Sequence, residues 1–378
     1  MGTSTLVFLI TLVLANSVKK SESSCESVNY EVKCDSVRDI TSAVIEKIPG
    51  INKVTRLYIK FSPHLIIFPR AFSAAVNLER VIISYNKIDR ISSGTFKDLP
   101  VKYINLGHNG INNIFPAAFS NLKFLESLRV DGNNLKQIPL GVFINLPMQD
   151  LALSKNNIPA IENMALENLP NLKKLRLDNN KLESIFVHRI LTYPERLELL
   201  WLHNNSLTTV SNYMLQKLTN LKILNLGFNS ISLIEPNSFE QTPKLNYLVL
   251  THNHLKEIDG SIFPNTGMQF LEKMYLDNNK LMFLSSNFLV GLRKLKKITI
   301  VGNPWICSCL NTVQRLLAEN NIQDMCNEEY NSGSRPVCVN ENVDDTECRY
   351  SYNDNLSERF ETYKKDHPLY RRIISCIL

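Results

Sequence analysis

The sequence lacks the features on which three large classes of protein depend. No segment approaches about 18 consecutive apolar residues, so we expect no membrane-spanning helix. Its 42 Lys and Arg nearly balance 36 Asp and Glu, and a net charge of +6 scattered along the chain does not indicate a nucleic-acid partner. It contains no Gly-rich phosphate loop, no H-E-x-x-H and no G-x-S-x-G motif. We therefore expect neither catalysis nor a cofactor.

Cysteine is absent from the long middle of the chain. All eight cysteines lie towards the two ends: Cys25, Cys34, Cys307, Cys309, Cys326, Cys338, Cys348 and Cys376. This confinement predicts disulfide-bonded caps on either side of a cysteine-free body. Zinc is the alternative, since Cys307, Cys309 and Cys326 could be ligands, but an oxidising compartment favours disulfides and we expect no metal site.

A short apolar run, Leu6 to Ala15, lies near the N-terminus. It is too short to span a bilayer and has the length of a signal-peptide core. The small residues Ala15 and Ser17 offer a cleavage site, although no Lys or Arg precedes the run. We predict a signal peptide over residues 1–17 and a secreted, extracellular protein. The alternative is a buried strand.

One pattern, L-x-x-L-x-L-x-x-N-x-L-x-x-I, recurs along the body of the chain; Leu172 to Ile185 is a regular copy. Aligned copies place an asparagine at Asn86, Asn109, Asn133, Asn156, Asn180, Asn205, Asn229, Asn253, Asn279 and Asn303. Successive asparagines are 23 to 26 residues apart. This period predicts a leucine-rich repeat solenoid of the α/β class over residues 54–303, with about eleven repeats of about 24 residues. An ordinary α/β domain rich in leucine is the alternative.

The spacing within a repeat has a physical reason. In a strand alternate side chains face opposite ways, so Leu175 and Leu177 point inward while Lys174 and Arg176 point outward. Stacked strands then form one parallel, concave sheet. An asparagine amide both donates and accepts, so Asn180 and its equivalents can satisfy the turns between repeats. A second row, ten residues after each asparagine, predicts a convex apolar spine: Phe96, Phe119, Phe143, Leu166, Ile190, Leu215, Phe239 and Phe263.

The cysteine-containing ends resemble the caps of extracellular leucine-rich repeat proteins. The segment Cys25 to Cys34 looks like their N-terminal cap, and Asn303 to Cys309, N-P-W-x-C-x-C, looks like the start of their C-terminal cap. The repeats are similar to those of Toll-like and Slit-like ectodomains. A more distant resemblance is to secreted leucine-rich repeat immune proteins of insects. We place an N-terminal cap at residues 18–53, a C-terminal cap at 304–348 and a tail at 349–378.

The resemblance also implies a disulfide pairing. In that family of caps the first cysteine pairs with the third and the second with the fourth, which gives Cys307 with Cys326, and Cys309 with Cys338 or Cys348. The sequence departs from the family in having six cysteines after the repeats rather than four. Cys376 could close a further internal bridge, link a second chain or stay free. A dimer would use the apolar side of the tail: Leu369, Ile373 and Ile377.

The outward strand positions predict a recognition surface. The middle repeats are charged, with Arg129 and Arg176 among others, and the late repeats are aromatic. Trp and Tyr are enriched in binding hot spots, so we predict partner binding by nine late residues: Trp201, His203, Asn225, Phe228, Tyr247, Val249, Thr251, Tyr275 and Asp277. Packing of these side chains on one another is the alternative. His203 and His252 lie two repeats apart, about 10 Å, too far to share a metal ion.

Two Asn-x-Ser sequences predict glycosylation, at Asn204 and at Asn355. Asn205 belongs to the asparagine row and should lie inside, whereas Asn204 should lie outside. Together these features predict a secreted module that binds an extracellular protein on its concave face, in innate immunity or signalling. The alternative is a structural matrix or adhesion protein.

Overall fold

A single sheet of fourteen strands runs through the structure, a computed structural model that describes residues 24–325, 338–339 and 347–366. Every neighbouring pair is parallel except the first. The strands are β1 Ser24–Val28, β2 Glu31–Asp35, β3 Arg56–Lys60, β4 Arg80–Ile83, β5 Tyr103–Asn105, β6 Ser127–Arg129, β7 Asp150–Ala152, β8 Lys174–Arg176, β9 Leu199–Trp201, β10 Ile223–Asn225, β11 Tyr247–Val249, β12 Lys273–Tyr275, β13 Lys297–Thr299 and β14 Gln323–Asp324. Strands β3 to β13 are the eleven predicted repeats, which confirms the α/β solenoid.

The strands align in register, so equivalent side chains form rows. Leu151, Leu175 and Leu200 are direct partners across β7, β8 and β9, and all three are fully buried. Because each strand is only about three residues long, one inward leucine per strand, with the leucines before and after it, holds each repeat to its neighbours. The other side of the sheet is the concave face.

Phenylalanines stack along the convex side in two separate runs. Phe72, Phe96, Phe119 and Phe143 follow one another with ring centroids 5.5–5.9 Å apart. Phe239, Phe263 and Phe288 form the second run. Between the runs the row continues with the buried aliphatic residues Leu166, Ile190 and Leu215. Short parallel strand pairs accompany the row: Asp39–Ile40 with Ile66–Ile67, Arg90–Ile91 with Asn113–Ile114, Phe96–Lys97 with Phe119–Ser120, and Thr209–Val210 with Leu233–Ile234.

The asparagines form the expected ladder. Asn133 Nδ2 donates to Leu106 O and Val130 O at 3.0 and 2.9 Å, and its Oδ1 accepts from Asn109 N and Ile111 N at 3.1 and 3.0 Å. Asn180 makes equivalent bonds but is half-buried rather than buried. In the first repeat Ser62 takes this position, fully buried, and its Oγ accepts from Val37 N. The ladder therefore continues into the N-terminal cap.

The N-terminal cap closes the first repeat with a hairpin. Cys25 and Cys34 lie opposite each other in the antiparallel pair β1–β2 and are joined by a disulfide. Helix α1, Ser42–Glu46, follows, with Thr41 Oγ1 accepting from Val44 N as its N-cap. Other short helices lie between the repeats: the 3-10 turns Ile51–Lys53, Pro194–Arg196 and Gly260–Ile262, and α2 Val187–Ile190.

The C-terminal cap differs from the expected pairing. Cys307 pairs with Cys338 rather than with Cys326, and Cys309 pairs with Cys348, one of its two expected partners. The reason lies in the backbone: Val339 N donates to Trp305 O and Val339 O accepts from Cys307 N, which places Cys338 beside Cys307. Helix α3, Cys307–Glu319, begins at these cysteines and covers the end of the core.

Helix α4, Asp354–Asp366, packs along the side of the last repeats. Leu356 and Phe360 are buried, and Leu356 lies in an apolar cluster with Met282, Phe283 and Ile306. The predicted signal peptide, Cys326, Cys376 and the apolar tail with its possible dimer contact lie outside the described residues. No helix in the described part is long and apolar enough to cross a membrane.

Candidate functional site

Trp201 lies near the middle of the concave face. It ends strand β9, with Arg176 of β8 on one side and Asn225 of β10 on the other. The Arg176 guanidinium lies 5.2 Å from the centroid of the Trp201 ring, and it forms a 2.6 Å ion pair with Asp150. The indole is half-buried. A large aromatic side chain is thus held by a cation on one side and remains accessible from the concave side.

His203 closes the other side of Trp201. The two rings meet edge to face with centroids 6.0 Å apart, and His203 Nε2 lies 3.5 Å from Asp178 Oδ2. Burial lowers the pKa of His203, and the Asp178 carboxylate opposes that shift. His203 Nδ1 is buried with no hydrogen-bond partner among the described residues. Burial therefore favours the neutral form of the imidazole.

Five of the nine predicted binding residues have little accessible surface. Asn225 is 9% exposed, Val249 4%, Thr251 1%, Tyr275 8% and Asp277 1%. The other four, Trp201, His203, Phe228 and Tyr247, are half-buried. The late part of the concave face therefore offers less contact surface than its sequence suggests, and this surface comes from Trp201, His203, Phe228 and Tyr247.

Hydrogen bonding explains part of this burial. Asp277 accepts from Thr251 Oγ1 through one oxygen and from Thr299 Oγ1, at 2.5 Å, through the other. Thr251 Oγ1 also lies 2.9 Å from His252 Nδ1. These side chains from three neighbouring repeats satisfy one another, so they stabilise the stack rather than present free polar groups to a partner.

Helix α4 reaches the rim of the same late repeats. Lys364 Nζ donates to Gly302 O at 2.9 Å. Burial lowers the pKa of His252, Asp277 opposes that shift, and the charge of Lys364 adds a smaller lowering. Glu361 raises the pKa of His254, although burial and Lys280 outweigh it and lower that pKa. The helix thus narrows access to the late repeats and leaves the middle of the sheet as the open region.

The middle of the concave face is charged and internally paired. Arg129 donates from Nε to Asp131 Oδ1 at 3.0 Å, and this hydrogen bond raises the pKa of Arg129. His108 Nε2 lies 3.9 Å from the same carboxylate. Together with the Arg176–Asp150 pair, these groups form a patterned polar surface beside Trp201, as expected of a surface that selects partners by charge.

Sequence reasoning missed a row of left-handed residues at the rim. We number each repeat from its first leucine, which makes the ladder asparagine position 9. At position 8 every repeat has positive φ, between 52° and 75°: Phe61, Tyr85, His108, Gly132, Lys155, Asn179, Asn204, Phe228, His252, Asn278 and Gly302. Five of these are Gly or Asn, the residues that favour this conformation, and that bias was the available signal.

Rings in this row stack on one another. Tyr85 and His108 are parallel with centroids 4.9 Å apart, as are Phe228 and His252 at 4.2 Å. Phe61 and Tyr85 are 69% and 58% exposed. The rim of the early repeats therefore carries accessible aromatic side chains that were not among the nine predicted binding residues.

The two candidate glycosylation residues are both exposed. Asn204 sits in the left-handed row, and its Nδ2 donates to Asn179 Oδ1 at 2.7 Å. Asn355 lies in the first turn of α4, where the Ser357 of its sequon is buried. Among the described residues, no group of three His, Cys, Asp or Glu side chains is arranged to hold a metal ion.

Comparison with known families gives one match. The sequence profile described as "Leucine rich repeat" matches residues 76–135, 124–182, 195–255 and 243–304, which together are more than half of the chain. Comparison with curated proteins finds no match.

Solved structures share the fold at low sequence identity. A leucine-rich repeat protein of Leptospira interrogans matches with a TM-score of 0.52 and 19% identity, covering 77% of this chain and 82% of that one. A chain of the Drosophila Toll–Spätzle complex matches with a TM-score of 0.56 and 20% sequence identity. The match covers 71% of this chain but only 42% of the matched chain. A chain in the complex of Latrophilin 3, Unc5D and FLRT2 matches with a TM-score of 0.55 and 22% sequence identity, covering 80% of this chain and 92% of the matched chain.

Proposed function

Because the chain belongs to the leucine-rich repeat family, we propose that it is a secreted protein that binds an extracellular protein partner on the middle of its concave face. The observation that carries the proposal is Trp201, half-buried and held by Arg176 at the centre of an otherwise paired polar surface. An anchored indole loses little side-chain entropy on binding, and surrounding ion pairs can select a partner by charge. The nine predicted residues contribute unequally to binding. Trp201 and His203 contact the partner, whereas Thr251 and Asp277 stabilise the stack of repeats behind the surface.

Three observations support the extracellular setting. One disulfide lies near the N-terminal end of the repeats and two lie near their C-terminal end, and such bonds persist in oxidising compartments. The apolar run Leu6 to Ala15 has signal-peptide length. Toll and FLRT2, which share this fold, are recorded in complexes with other proteins, and Toll in innate immunity. On this basis we extend the proposal to a role in innate immunity or signalling, without catalysis.

Affinity capture from the extracellular fluid of the producing organism identifies the partner, and one aromatic substitution then tests the site. We expect Trp201→Ala to weaken partner binding by about 2 kcal/mol or more, as for a hot spot. The matched control is Tyr213→Ala, which removes an aromatic side chain that is 44% exposed and packed beside Phe186, away from the concave strands. If the Trp201→Ala variant binds the partner with unchanged affinity, the middle of the concave face is not the binding site. Recovery of the chain only with insoluble material would instead favour the matrix role.

Peptide mapping of the secreted protein tests its processing. We expect an N-terminus close to residue 18 and glycan on Asn355, whose side chain is exposed. Less occupancy is expected at Asn204, since its Nδ2, the atom that would carry the sugar, is hydrogen-bonded to Asn179. Secreted material that retains residues 1–17, or in which both asparagines are bare, contradicts these assignments.

A further inference from the structure

Positive charge is concentrated in one segment of the last repeat. Four of the five residues Arg293, Lys294, Leu295, Lys296 and Lys297 are cations, a denser run than the next one among the repeats, Lys173, Lys174 and Arg176. Such short basic runs are typical of surfaces that bind polyanions. The segment lies on the side opposite to the asparagine ladder, where the chain enters strand β13.

A tight turn presents the first two cations to solvent. Leu295 N donates to Leu292 O at 3.0 Å, which places Arg293 and Lys294 at the tip. Leu292 and Leu295 are only 3% and 5% exposed, so they anchor the turn in the core. Arg293 and Lys294 are both exposed. The tip is therefore fixed while its charged side chains are free to reach a ligand.

The charge continues from the turn onto the concave sheet. Lys297 is the direct partner of Lys273 on strand β12, so their backbones lie about 4.8 Å apart. Lys296 Nζ forms a 3.0 Å ion pair with Glu272, and its side chain remains 65% exposed. Five cations thus follow the edge of the last two repeats from the turn to the sheet.

Little negative charge opposes them in the described part of the chain. Glu272 is paired with Lys296 alone. Asp324 on the neighbouring strand β14 is buried to the extent that its pKa is raised to about 7, which leaves it partly protonated near neutral pH. Turns at the same place in other repeats carry at most one cation: Asn52–Lys53, Val76–Asn77, Lys123–Phe124, Pro170–Asn171, Glu195–Arg196, Thr219–Asn220, Pro243–Lys244 and Gln269–Phe270.

We propose that this cationic edge, Arg293, Lys294, Lys296, Lys297 and Lys273, binds a sulfated polysaccharide chain. Several fixed cations on one edge suit a linear polyanion, whose bound counterions are released on contact. The planar guanidinium of arginine pairs well with oxyanion groups by donating two N–H bonds to two of their oxygens. The cations turn from the loop onto the sheet, so a flexible chain can reach all of them and a flat bilayer cannot.

We favour a polysaccharide over other polyanions because this inference rests on the proposed secretion of the protein. Anionic lipid is concentrated in the cytoplasmic leaflet of the membrane, which a secreted protein does not face. Binding to heparin can be measured with the purified full chain, without the protein partner. Failure of this inference is therefore separable from failure of the concave-face proposal, which Trp201→Ala tests.

The test measures heparin affinity of the full disulfide-bonded chain as a function of salt. We expect Arg293→Gln with Lys294→Gln to weaken heparin binding at least tenfold. The slope of the logarithm of affinity against the logarithm of salt concentration should also become shallower, by the amount that corresponds to the loss of roughly one to two charge contacts. The control is Lys123→Gln with Lys136→Gln, which removes the same charge from exposed positions; Lys123 occupies the equivalent turn of an earlier repeat. The control variant and Trp201→Ala should bind heparin like the parent chain.

Three results would overturn the inference. The first is an unchanged heparin affinity in the Arg293 and Lys294 variant, given that all four substituted side chains are exposed and both variants should melt like the parent. The second is an equal loss in the Lys123 and Lys136 control, which would mean that only net charge matters. The third is equal or tighter binding of duplex DNA or of phosphatidylserine vesicles, lost in the same variant, which would assign the edge to another polyanion.

Discussion

At position 8 the backbone, rather than the side chain, sets the conformation of each residue. Lys155 N donates to Asp178 O at 2.9 Å, and His108 N donates to Asp131 O at 2.9 Å in the same way. Each of these bonds reaches the next repeat and requires the left-handed turn. Non-Gly residues are strained by about 1 kcal/mol or more in this turn, so every repeat except those with Gly132 and Gly302 carries a cost that the stacking must exceed.

One substitution made at two positions tests this reading. Lys155 and Lys174 are both exposed, but Lys155 has φ of 53° whereas Lys174 lies in strand β8. Lys155→Val should lower the free energy of unfolding by about 1–2 kcal/mol, because a β-branched residue disfavours positive φ. Lys174→Val should change it by less than about 0.5 kcal/mol, since valine suits a strand. Equal effects in chemical denaturation would refute the backbone explanation.

Asp324 predicts a pH dependence of stability. Burial raises its pKa from 3.8 to about 7, and the backbone N–H of Ile300 only partly opposes the shift. Between about pH 4 and pH 7 the folded chain therefore holds a proton that the unfolded chain has lost, so this group makes stability fall as pH rises through that window. At pH 8 Asp324→Asn should be more stable than the parent, by on the order of 2 kcal/mol for a group at the edge of the sheet.

Thermal melts across this range check the prediction. The advantage of Asp324→Asn should shrink as pH falls from 7 to about 4 and disappear below the unfolded pKa of 3.8, where the aspartate is protonated in both states. An advantage that stays constant with pH would show that the effect comes from hydrogen bonding of the amide and not from titration.

At the residue scale, the features that arise within a single repeat could be predicted from the sequence. The inward Leu175 and Leu177, the asparagine ladder and the convex Phe96 follow from spacing alone, and all are observed. Burial of Thr251 and Asp277 was not predictable, because it depends on hydrogen bonds among three repeats and on the cap. The half-buried state of Asn180 is likewise a property of the assembled stack.

Helix α4 is held to the repeats by an apolar side and two polar ends. Leu356 and Phe360, one turn apart, are 4% and 1% exposed, and Met282 Sδ accepts from Asn353 N just before the helix. Lys256 Nζ pairs with Asp354 at 3.0 Å near its start, and Lys364 bonds Gly302 O near its end. The exposed ion pair contributes little, so the apolar contacts provide most of the docking energy.

Leu356→Ala should therefore release the helix. Truncating a buried leucine costs about 2–5 kcal/mol, and Leu356 is one of only two buried apolar side chains among the described residues of this helix. Hydrogen exchange of the backbone amides in residues 354–366 should become at least tenfold faster, while exchange in β7 and β8 stays unchanged. Glu358→Ala, an exposed position in the same helix, is the control and should leave exchange as in the parent. Unaltered exchange in Leu356→Ala would mean that the helix is held by other contacts.

At the level of elements the repeats and the terminal disulfides were predictable, whereas the partner of Cys307 and helix α4 were not. Eleven strands appear where the period places them because each depends on its own leucines. The sequence analysis did not predict helix α4, which ends at Asp366. Its apolar pair, Leu356 and Phe360, is too sparse to stand out in a polar segment. The Cys307–Cys338 bond depends on Val339 lying beside Ile306, a contact that spacing cannot reveal.

Across the whole molecule, stability is a sum of contacts between neighbouring repeats. Side-chain bonds from the asparagine ladder join residues 21 to 29 apart, and the strands pair only with the next repeat. A longer link, such as Lys256 to Asp354, occurs where helix α4 packs against the late repeats. A stack of this kind can open from its ends, and the disulfide-bonded caps protect those ends.

Removing the N-terminal disulfide should therefore loosen one end only. We expect Cys25→Ser with Cys34→Ser to cost about 2–3 kcal/mol locally. Hydrogen exchange should accelerate in β2, β3 and β4 and remain unchanged in β11, β12 and β13, with the wild-type chain as reference. A uniform acceleration from end to end would show that the solenoid unfolds as one cooperative unit and would contradict nearest-neighbour stability.

The register of the ladder also bears on how such a gene can change in length. Every repeat meets its neighbours through the same positions, so duplication or loss of a whole 24-codon block leaves each hydrogen bond with an equivalent partner. Smaller insertions are accommodated only where the turns vary, as in the unit from Asn253 to Asn279, which has two extra residues. With cysteines confined to the ends, unequal crossing-over within the repeats changes the length of the binding surface without disturbing a single disulfide.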